Sequence, residues 1–318
     1  MTNKRLIMCA LFLLSLIFVV GCQDSGSGTT KGSVSNATSA SDTSAQGSQV
    51  DSEASQDQIR TSFEALLKNP GNEVAALEQM RQDISKLSPD NADQMILSFE
   101  AYQDTAISNL PDISLTKLIQ TSTEEPYNAE RLNTPSSIEN TDLKNALQDF
   151  LDRGYKIITP EGIYQAVIDY DAYQFAEKSV TPDIAAYIKL MSAESENRML
   201  EDGAIMISID DVFSRMQVSE SFISAYQDSV KSDQIKALYN AQIDTYFLGQ
   251  DNTPAFNYTS GKLNQEFLDS YKKSALSSTD SPGVKATVEY LDILKNNGYT
   301  LTTEVRNYRD DMMTGLKA

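Results

Sequence analysis

Carboxylates are the most numerous ionisable side chains in this sequence. The chain has 45 aspartates and glutamates, no histidine, and two cysteines, Cys9 and Cys22. The lack of histidine excludes Ser-His and Cys-His nucleophile pairs and imidazole metal ligands. Both cysteines lie within the first 22 residues, so the rest of the chain has no thiolate for a zinc site. Glycine-rich phosphate-binding patterns and EF-hand calcium loops are also missing from the sequence. We therefore expect no metal and no cofactor.

A pair of carboxylates is the remaining arrangement that could catalyse a reaction, as in glycoside hydrolysis. The candidates stand near predicted turns and element ends and are Glu161, Asp169, Asp171, Asp210 and Asp211. With 45 acidic residues, some such pairs occur by chance. Asp210-Asp211 is also typical of a helix start, where negative charge favours the helix dipole. We predict that the protein is not an enzyme, with a carboxylate-dependent cell-wall glycosidase as one alternative.

An apolar run follows two basic residues near the start of the chain. Lys4 and Arg5 precede fifteen uncharged residues, 6–20. As a helix rising about 1.5 Å per residue, this run would span roughly 22 Å, less than the roughly 30 Å hydrocarbon core of a bilayer. A short apolar run after a positive start is typical of a signal peptide. We therefore predict a signal peptide over residues 1–21.

The run ends in Val19-Val20-Gly21-Cys22. This segment resembles the lipobox of bacterial lipoproteins. The resemblance implies cleavage before Cys22, a thioether-linked diacylglycerol on its sulfur and, usually, a third acyl chain on its new amino group. Two or more acyl chains anchor a protein stably in a membrane. The resemblance therefore implies a protein anchored by its lipid on the extracytoplasmic face of the cell membrane. The alternatives are an ordinary secretory signal or an uncleaved anchor, with Cys22 incidental to either.

The charge of the chain limits its partners. The formal net charge is −19, and residues 1–21 contain two of the 26 basic residues and none of the acidic ones, so their removal leaves −21. Such acidity argues against nucleic-acid binding and against electrostatic adsorption to anionic lipid. With Cys22 committed to lipid, no disulfide is available. The folded part must then be stabilised by its hydrophobic core.

The composition divides the chain into successive segments. Residues 22–57, a stretch rich in Ser, Thr and Gly, hold too few apolar side chains to fold, so we predict a disordered tether. Apolar residues at helical spacing then predict an N-terminal helical subdomain over 58–110 and a C-terminal one over 141–318. Proline and polar clusters predict a connecting loop over 111–140.

Helix boundaries are well marked in both predicted subdomains. Helix starts are predicted at Ser88-Pro89, Thr181-Pro182-Asp183 and Ser281-Pro282, and helix ends at Gly154, Gly249 and Gly298. Residues 155–159 look extended, and 163–168 are either a partner strand or the start of a helix. Residues 250–261 are predicted as a loop. The fold class predicted is all-α or predominantly α, a multi-helix array with one or two short extended or hairpin segments.

Two stretches combine tyrosines with polar residues. The first contains Tyr164, Asp169 and Tyr170, and the second contains Asn252, Thr253, Phe256 and Tyr258. Tyrosine offers a large contact area with a polar end, so these residues are a candidate partner-binding patch. The alternative is that the aromatic rings pack between helices and the second stretch is a structural loop.

The same stretches carry a second resemblance. The residues involved are Gly154-Tyr155, Glu161-Gly162-x-Tyr164, Ile168-Asp169-Tyr170 and Asn252-Thr253-Pro254-x-Phe256. The region 147–298 is similar to uncharacterised surface lipoproteins of Gram-positive Firmicutes. That resemblance implies a lipid-anchored, mostly helical envelope protein and carries no established activity.

Seven positions of 147–164 are matched 144 positions later by the same residue or by another apolar residue, a pattern that we call the internal echo. It reflects either two similar helix ends or a duplicated half.

Together these observations favour a non-enzymatic, lipid-anchored envelope protein that binds an unidentified envelope protein or serves a surface assembly. A solute-binding lipoprotein of an importer is the alternative from another class. Such proteins commonly have two lobes of alternating strands and helices, and the sequence does not show that alternation.

Overall fold

A computed structural model describes residues 52–109, 119, 128–160, 164–277 and 281–317, all within the compact unit Gly47–Ala318. The predicted fold class, predominantly α with short hairpins, is confirmed. The described α-helices are α1 Glu53–Leu67, α2 Glu73–Asp83, α3 Pro89–Asn109, α4 Ala129–Leu132, α5 Thr141–Asp152, α6 Pro182–Glu196, α7 Ile209–Ala225, α8 Ser232–Leu248, α9 Gln265–Ser274, α10 Pro282–Asn296 and α11 Thr303–Leu316. No described helix has the length and apolar character needed to cross a membrane.

In the described part of the chain, the strands form three two-stranded antiparallel hairpins rather than one larger sheet. They pair β1 Tyr155–Ile158 with β2 Gln165–Ile168, β3 Leu200–Glu201 with β4 Ala204–Ile205, and β5 Gly249–Gln250 with β6 Thr253–Pro254. In the first hairpin Tyr155 is opposite Ile168 and Ile158 is opposite Gln165. The partner-strand interpretation of 163–168 is therefore correct for the residues of β2. The stretch 250–261, predicted as a loop, begins instead with the turn and second strand of a hairpin.

The predicted helix starts at Pro89, Pro182 and Pro282 are confirmed. The first helix, however, begins at Glu53, so residues 53–57 are helical and the predicted end of the tether at residue 57 is wrong. Ser52 caps α1 by accepting a hydrogen bond from the backbone N–H of Ser55. Gln56 is buried, and its side-chain oxygen accepts hydrogen bonds from the Ser88 N–H and the Asn91 side chain, both at 2.8 Å.

The last helix, α11, was not predicted. Only Val305 and Met313 of its residues are buried, so its apolar stripe is short and gives a weak helical pattern in the sequence. The residues after Gly298 lead into this helix, whereas those after Gly154 form the β1–β2 hairpin. The internal echo thus covers two similar helix ends, each followed by a different structure.

The described residues contain three hydrophobic core clusters. The first joins α1–α3 to Tyr155, α6 and the 3-10 helix Tyr170–Ala176. The second joins α7–α11. The third packs Ile119 and Leu132 against α5 and β1. The first cluster joins side chains from both sides of the predicted connection 111–140, so separating the two predicted subdomains would expose apolar surface to water. The division into subdomains itself stays a prediction.

A buried carboxylate lies at the centre of the first cluster. Glu100 on α3 is 4% exposed and accepts hydrogen bonds from the hydroxyls of Tyr170, at 2.6 Å, and Tyr187. The Lys231 ammonium lies 2.5 Å from its other oxygen and 4.5 Å from the centre of the Tyr187 ring. Burial raises the pKa of both tyrosines well above the ordinary value, so their hydroxyls stay protonated and donate. One side chain thus connects α3 to three later segments.

We predict that Glu100→Ala lowers the free energy of unfolding by about 3–5 kcal/mol, because it leaves the Lys231 ammonium and two hydroxyls buried without their acceptor. Urea unfolding followed by far-UV circular dichroism measures this change. Glu64→Ala, at an exposed position of α1, is the matched control and should change stability by less than about 0.5 kcal/mol. Equal losses in the two variants would show that the Glu100 cluster contributes no special stability.

Candidate functional site

The residues of the predicted patch differ in exposure. Tyr170 is 8% exposed and Phe256 is 6% exposed, and both pack in hydrophobic clusters. They contribute to the core and not to a contact surface, which corrects the surface role given to them in the patch. Cys22 and Glu161 lie outside the described residues, so their predicted roles stay predictions.

The acidic residues of the first stretch surround a lysine on β1. The Lys156 ammonium lies 2.6 Å from Glu196, 3.1 Å from Asp169 and 3.6 Å from Asp171. Asp169 also caps the following 3-10 helix by accepting a hydrogen bond from the Asp171 N–H. Tyr164 is only partly buried and packs against the third cluster. Asp169 and Asp171 are thus brought together, as partners of one cation.

The electrostatics of this group favour ion pairing. Burial alone would lower the pKa of Lys156, but hydrogen bonds to Glu196 and Asp169 outweigh it and raise that pKa. Burial alone would raise the pKa of Asp171. Hydrogen bonds, of which the one from the Ser192 hydroxyl has the largest effect, outweigh burial and lower that pKa. The general acid of a glycosidase needs a raised pKa. Asp171 shows the opposite shift.

Asp210 and Asp211 lie in the first turn of α7, which confirms their interpretation as a helix start. Ser208 caps this helix by accepting a hydrogen bond from the Asp211 N–H, and its hydroxyl donates to the Asp211 carboxylate at 2.7 Å. Lys273 of α9 lies 2.5 Å from Asp210, and this contact lowers the pKa of the Asp210 carboxyl. Both carboxylates therefore have structural partners.

The second stretch of the patch is held against the β3–β4 hairpin, which the sequence analysis missed. Asp202 and Gly203 form its turn, both with positive φ (50° and 70°). An Asp-Gly pair between short strands is a strong hairpin signal because glycine adopts positive φ without a steric penalty, so this hairpin could have been predicted. It is short, and the alternation of apolar residues that usually accompanies the signal is correspondingly weak.

The two C-terminal hairpins are joined at their turns. The Asn252 N–H donates to the Gly203 carbonyl at 2.8 Å, and the Asn252 side chain donates to the Asp202 carbonyl at 2.6 Å. The Ile205 N–H donates to the Thr253 hydroxyl at 3.1 Å. Asn252 and Thr253, which the sequence analysis assigned to the patch, therefore fix one hairpin on the other.

Exposed side chains lie close in sequence to the paired hairpins. Tyr258 is 74% exposed, and its hydroxyl donates to the Asp251 carbonyl at 3.2 Å, next to Asn252. Met206, which follows β4, is 57% exposed. We use the name hairpin face for the exposed residues Met206, Asp251, Asn252 and Tyr258, which form or follow parts of the two paired hairpins. Tyrosine and methionine are enriched at protein interfaces, so the composition of this face is that of an interaction surface.

Two clefts flank the β3–β4 hairpin. One, of about 560 Å³, lies between this hairpin, α4, β1 and the end of α6, and is lined by Lys156 and Ile207. The other, of about 460 Å³, lies toward α7 and α9 and is lined by Asp210, Thr253 and Ile207. Lys156, the partner of Asp169, and Thr253 thus line two clefts next to the same hairpin. In this way the structure places the two sequence stretches of the patch around a common element, without any described hydrogen bond or ion pair between them.

The first cleft also contains an arginine that the sequence analysis did not single out. Arg198 follows α6 and is partly buried, and its Nη1 is buried without a hydrogen-bond partner. No described ion pair involves Arg198. We call this cavity the Arg198 cleft. Only the tertiary structure places this arginine beside Lys156, which is 42 positions earlier in the chain.

No family model, curated protein or solved structure matches the chain. Within the described ranges, no group of three or more acidic, histidine or cysteine side chains is placed to hold a metal ion. The prediction that the protein is not an enzyme stays a prediction.

We predict that Asp171→Asn destabilises the fold in a pH-dependent way. The folded-state pKa of Asp171 is lowered, so its stabilising effect is complete above the ordinary value near 4 and is lost as the pH falls through the folded-state value. At pH 7 we expect a loss of about 1 kcal/mol, because the carboxylate is partly solvent-screened. The loss should shrink below about pH 4.

Urea unfolding of both proteins between pH 2.5 and pH 7 measures this difference. Glu78→Gln, at an exposed position in the middle of α2, is the control and should show little change at any pH. A difference between wild type and Asp171→Asn that stays constant with pH would contradict the assigned role.

Proposed function

We propose that the protein is a lipid-anchored, non-enzymatic envelope protein, held on the extracytoplasmic face of the cell membrane by diacylglycerol on Cys22. The single observation that supports the anchoring is the sequence Val19-Val20-Gly21-Cys22 at the end of a short apolar run with a basic start. The lipid supplies a membrane affinity that a body of charge −21 would not have on an anionic surface.

We propose further that the body binds an envelope protein through the hairpin face. Tyr258 and Met206 are two of the most exposed large apolar side chains in the described structure, and they follow two hairpins that are fixed to each other by hydrogen bonds. A rigid surface loses little conformational entropy on binding. Exposure next to two hydrogen-bonded hairpins is therefore the feature that favours this face over other exposed positions.

The alternative class, a solute-binding lipoprotein of an importer, is supported by a different observation, the Arg198 cleft. A cavity of about 560 Å³ falls within the range of about 300–1,000 Å³ that small-molecule sites occupy. A carboxylate-dependent glycosidase remains an alternative prediction, but the ion pairing of Asp169 and Asp171 with Lys156 does not favour it.

Photo-crosslinking in intact cells tests the proposal. A benzophenone amino acid replaces Tyr258 or Met206 in the full chain, and Val230, which is 74% exposed and away from the hairpins, is the control position. We expect the same crosslinked protein from both hairpin positions and none from position 230. Adducts that are absent from the hairpin positions, or equally frequent at position 230, would contradict binding at this face.

A second arm of the experiment carries Cys22→Ser. Without the lipid the protein should leave the membrane fraction, because the apolar run alone is too short to span the bilayer. We expect at least a tenfold drop in the membrane-bound fraction and a parallel loss of the adduct. Retention in the membrane fraction would contradict the anchor, whatever the result at the hairpin face.

A further inference from the structure

Arg198 is unusual among the cations of this protein. Carboxylates outnumber lysines and arginines by 45 to 26, so a partly buried cation has many potential partners. The other cations of comparable burial that pair with a carboxylate within 4 Å are Arg153, Lys156, Arg215, Lys231 and Arg309. Arg198 has no such partner in the described structure, and its Nη1 is buried without an acceptor.

An unpaired, partly buried guanidinium is costly, because it has lost water without gaining an acceptor. Arg198 lines the cleft, so an anionic group entering the cleft would give the guanidinium the charged partner that the fold does not supply. Arginine is suited to this role, since its planar guanidinium can donate two parallel hydrogen bonds to a carboxylate. The neighbouring Lys156 does not compete for the anion, because Glu196 and Asp169 already neutralise it.

The carboxylates of the same cleft limit which anions can bind. Glu130 and Glu201 also line it, and neither forms a described ion pair. They would repel a polyanion and would attract an ammonium group. Ile158, Met206 and Ile207 supply an apolar wall between the charged groups. A ligand with one carboxylate, one ammonium and small apolar side chains fits this arrangement.

We propose that the Arg198 cleft binds a zwitterionic ligand of the amino-acid or short-peptide class. The ligand's carboxylate contacts Arg198 and its ammonium contacts Glu130 or Glu201. This inference does not depend on anchoring at Cys22 or on partner binding at the hairpin face, although Met206 belongs to both the cleft and that face.

Thermal unfolding of the full chain in detergent, with alanine or trialanine added, tests the proposal. A ligand present at ten times its Kd should raise Tm by about 3 °C. We expect trialanine with free termini to produce this shift and its N-acetylated, C-amidated form to produce none. A shift with alanine alone would assign the site to free amino acids, and a shift with trialanine alone would assign it to peptides.

Arg198→Gln should abolish the shift, whereas Arg306→Gln, which removes the same charge from an exposed position of α11, should retain it. If Arg198→Gln does not fold, Glu201→Gln and the capped peptide serve as the tests, and each should weaken binding at least tenfold. The proposal is overturned if neither probe shifts Tm, if the capped peptide shifts it equally, or if the shift survives in Arg198→Gln.

Discussion

The contact between Glu100 and Lys231 is the interaction on which the first hydrophobic cluster depends. A carboxylate that is 4% exposed is tolerated only with full hydrogen bonding, and Tyr170, Tyr187 and Lys231 provide it. These partners lie 70, 87 and 131 residues along the chain from Glu100. Because the cost of an unpaired buried charge is high, the same cluster that stabilises the fold also specifies how α3 meets α6 and the start of α8.

The excess of carboxylates over basic residues also bears on function. With 45 acidic and 26 basic residues, most cations inside the fold are neutralised by nearby carboxylates, as Lys156 is by Asp169, Asp171 and Glu196. Arg198 departs from this pattern and does so within a cleft. An unpaired cation in an acidic protein is a stronger indication of a binding site than the candidate carboxylates that the structure describes, whose partners are structural.

The sequence was sufficient for the elements that depend on local chemistry. Proline at the first helical position predicted the starts of α3, α6 and α10, and glycine predicted the ends of α5, α8 and α10. The turn signal Asp202-Gly203 was equally local and could have revealed the β3–β4 hairpin. Tyr170 and Phe256 could not be placed, because an aromatic residue beside acidic residues has the same sequence pattern on a surface and in a core. Arg198 and Lys156 meet only in the tertiary structure.

Everything proposed for the location of this protein begins at Cys22. Mass spectrometry of the amino-terminal peptide, from protein extracted from its own cells, measures that step most directly. We expect a peptide that begins at Cys22 and carries diacylglycerol on its sulfur. A peptide that begins at Met1, or a Cys22 with an unmodified thiol, would contradict the anchor and with it the proposed place of the protein in the cell envelope.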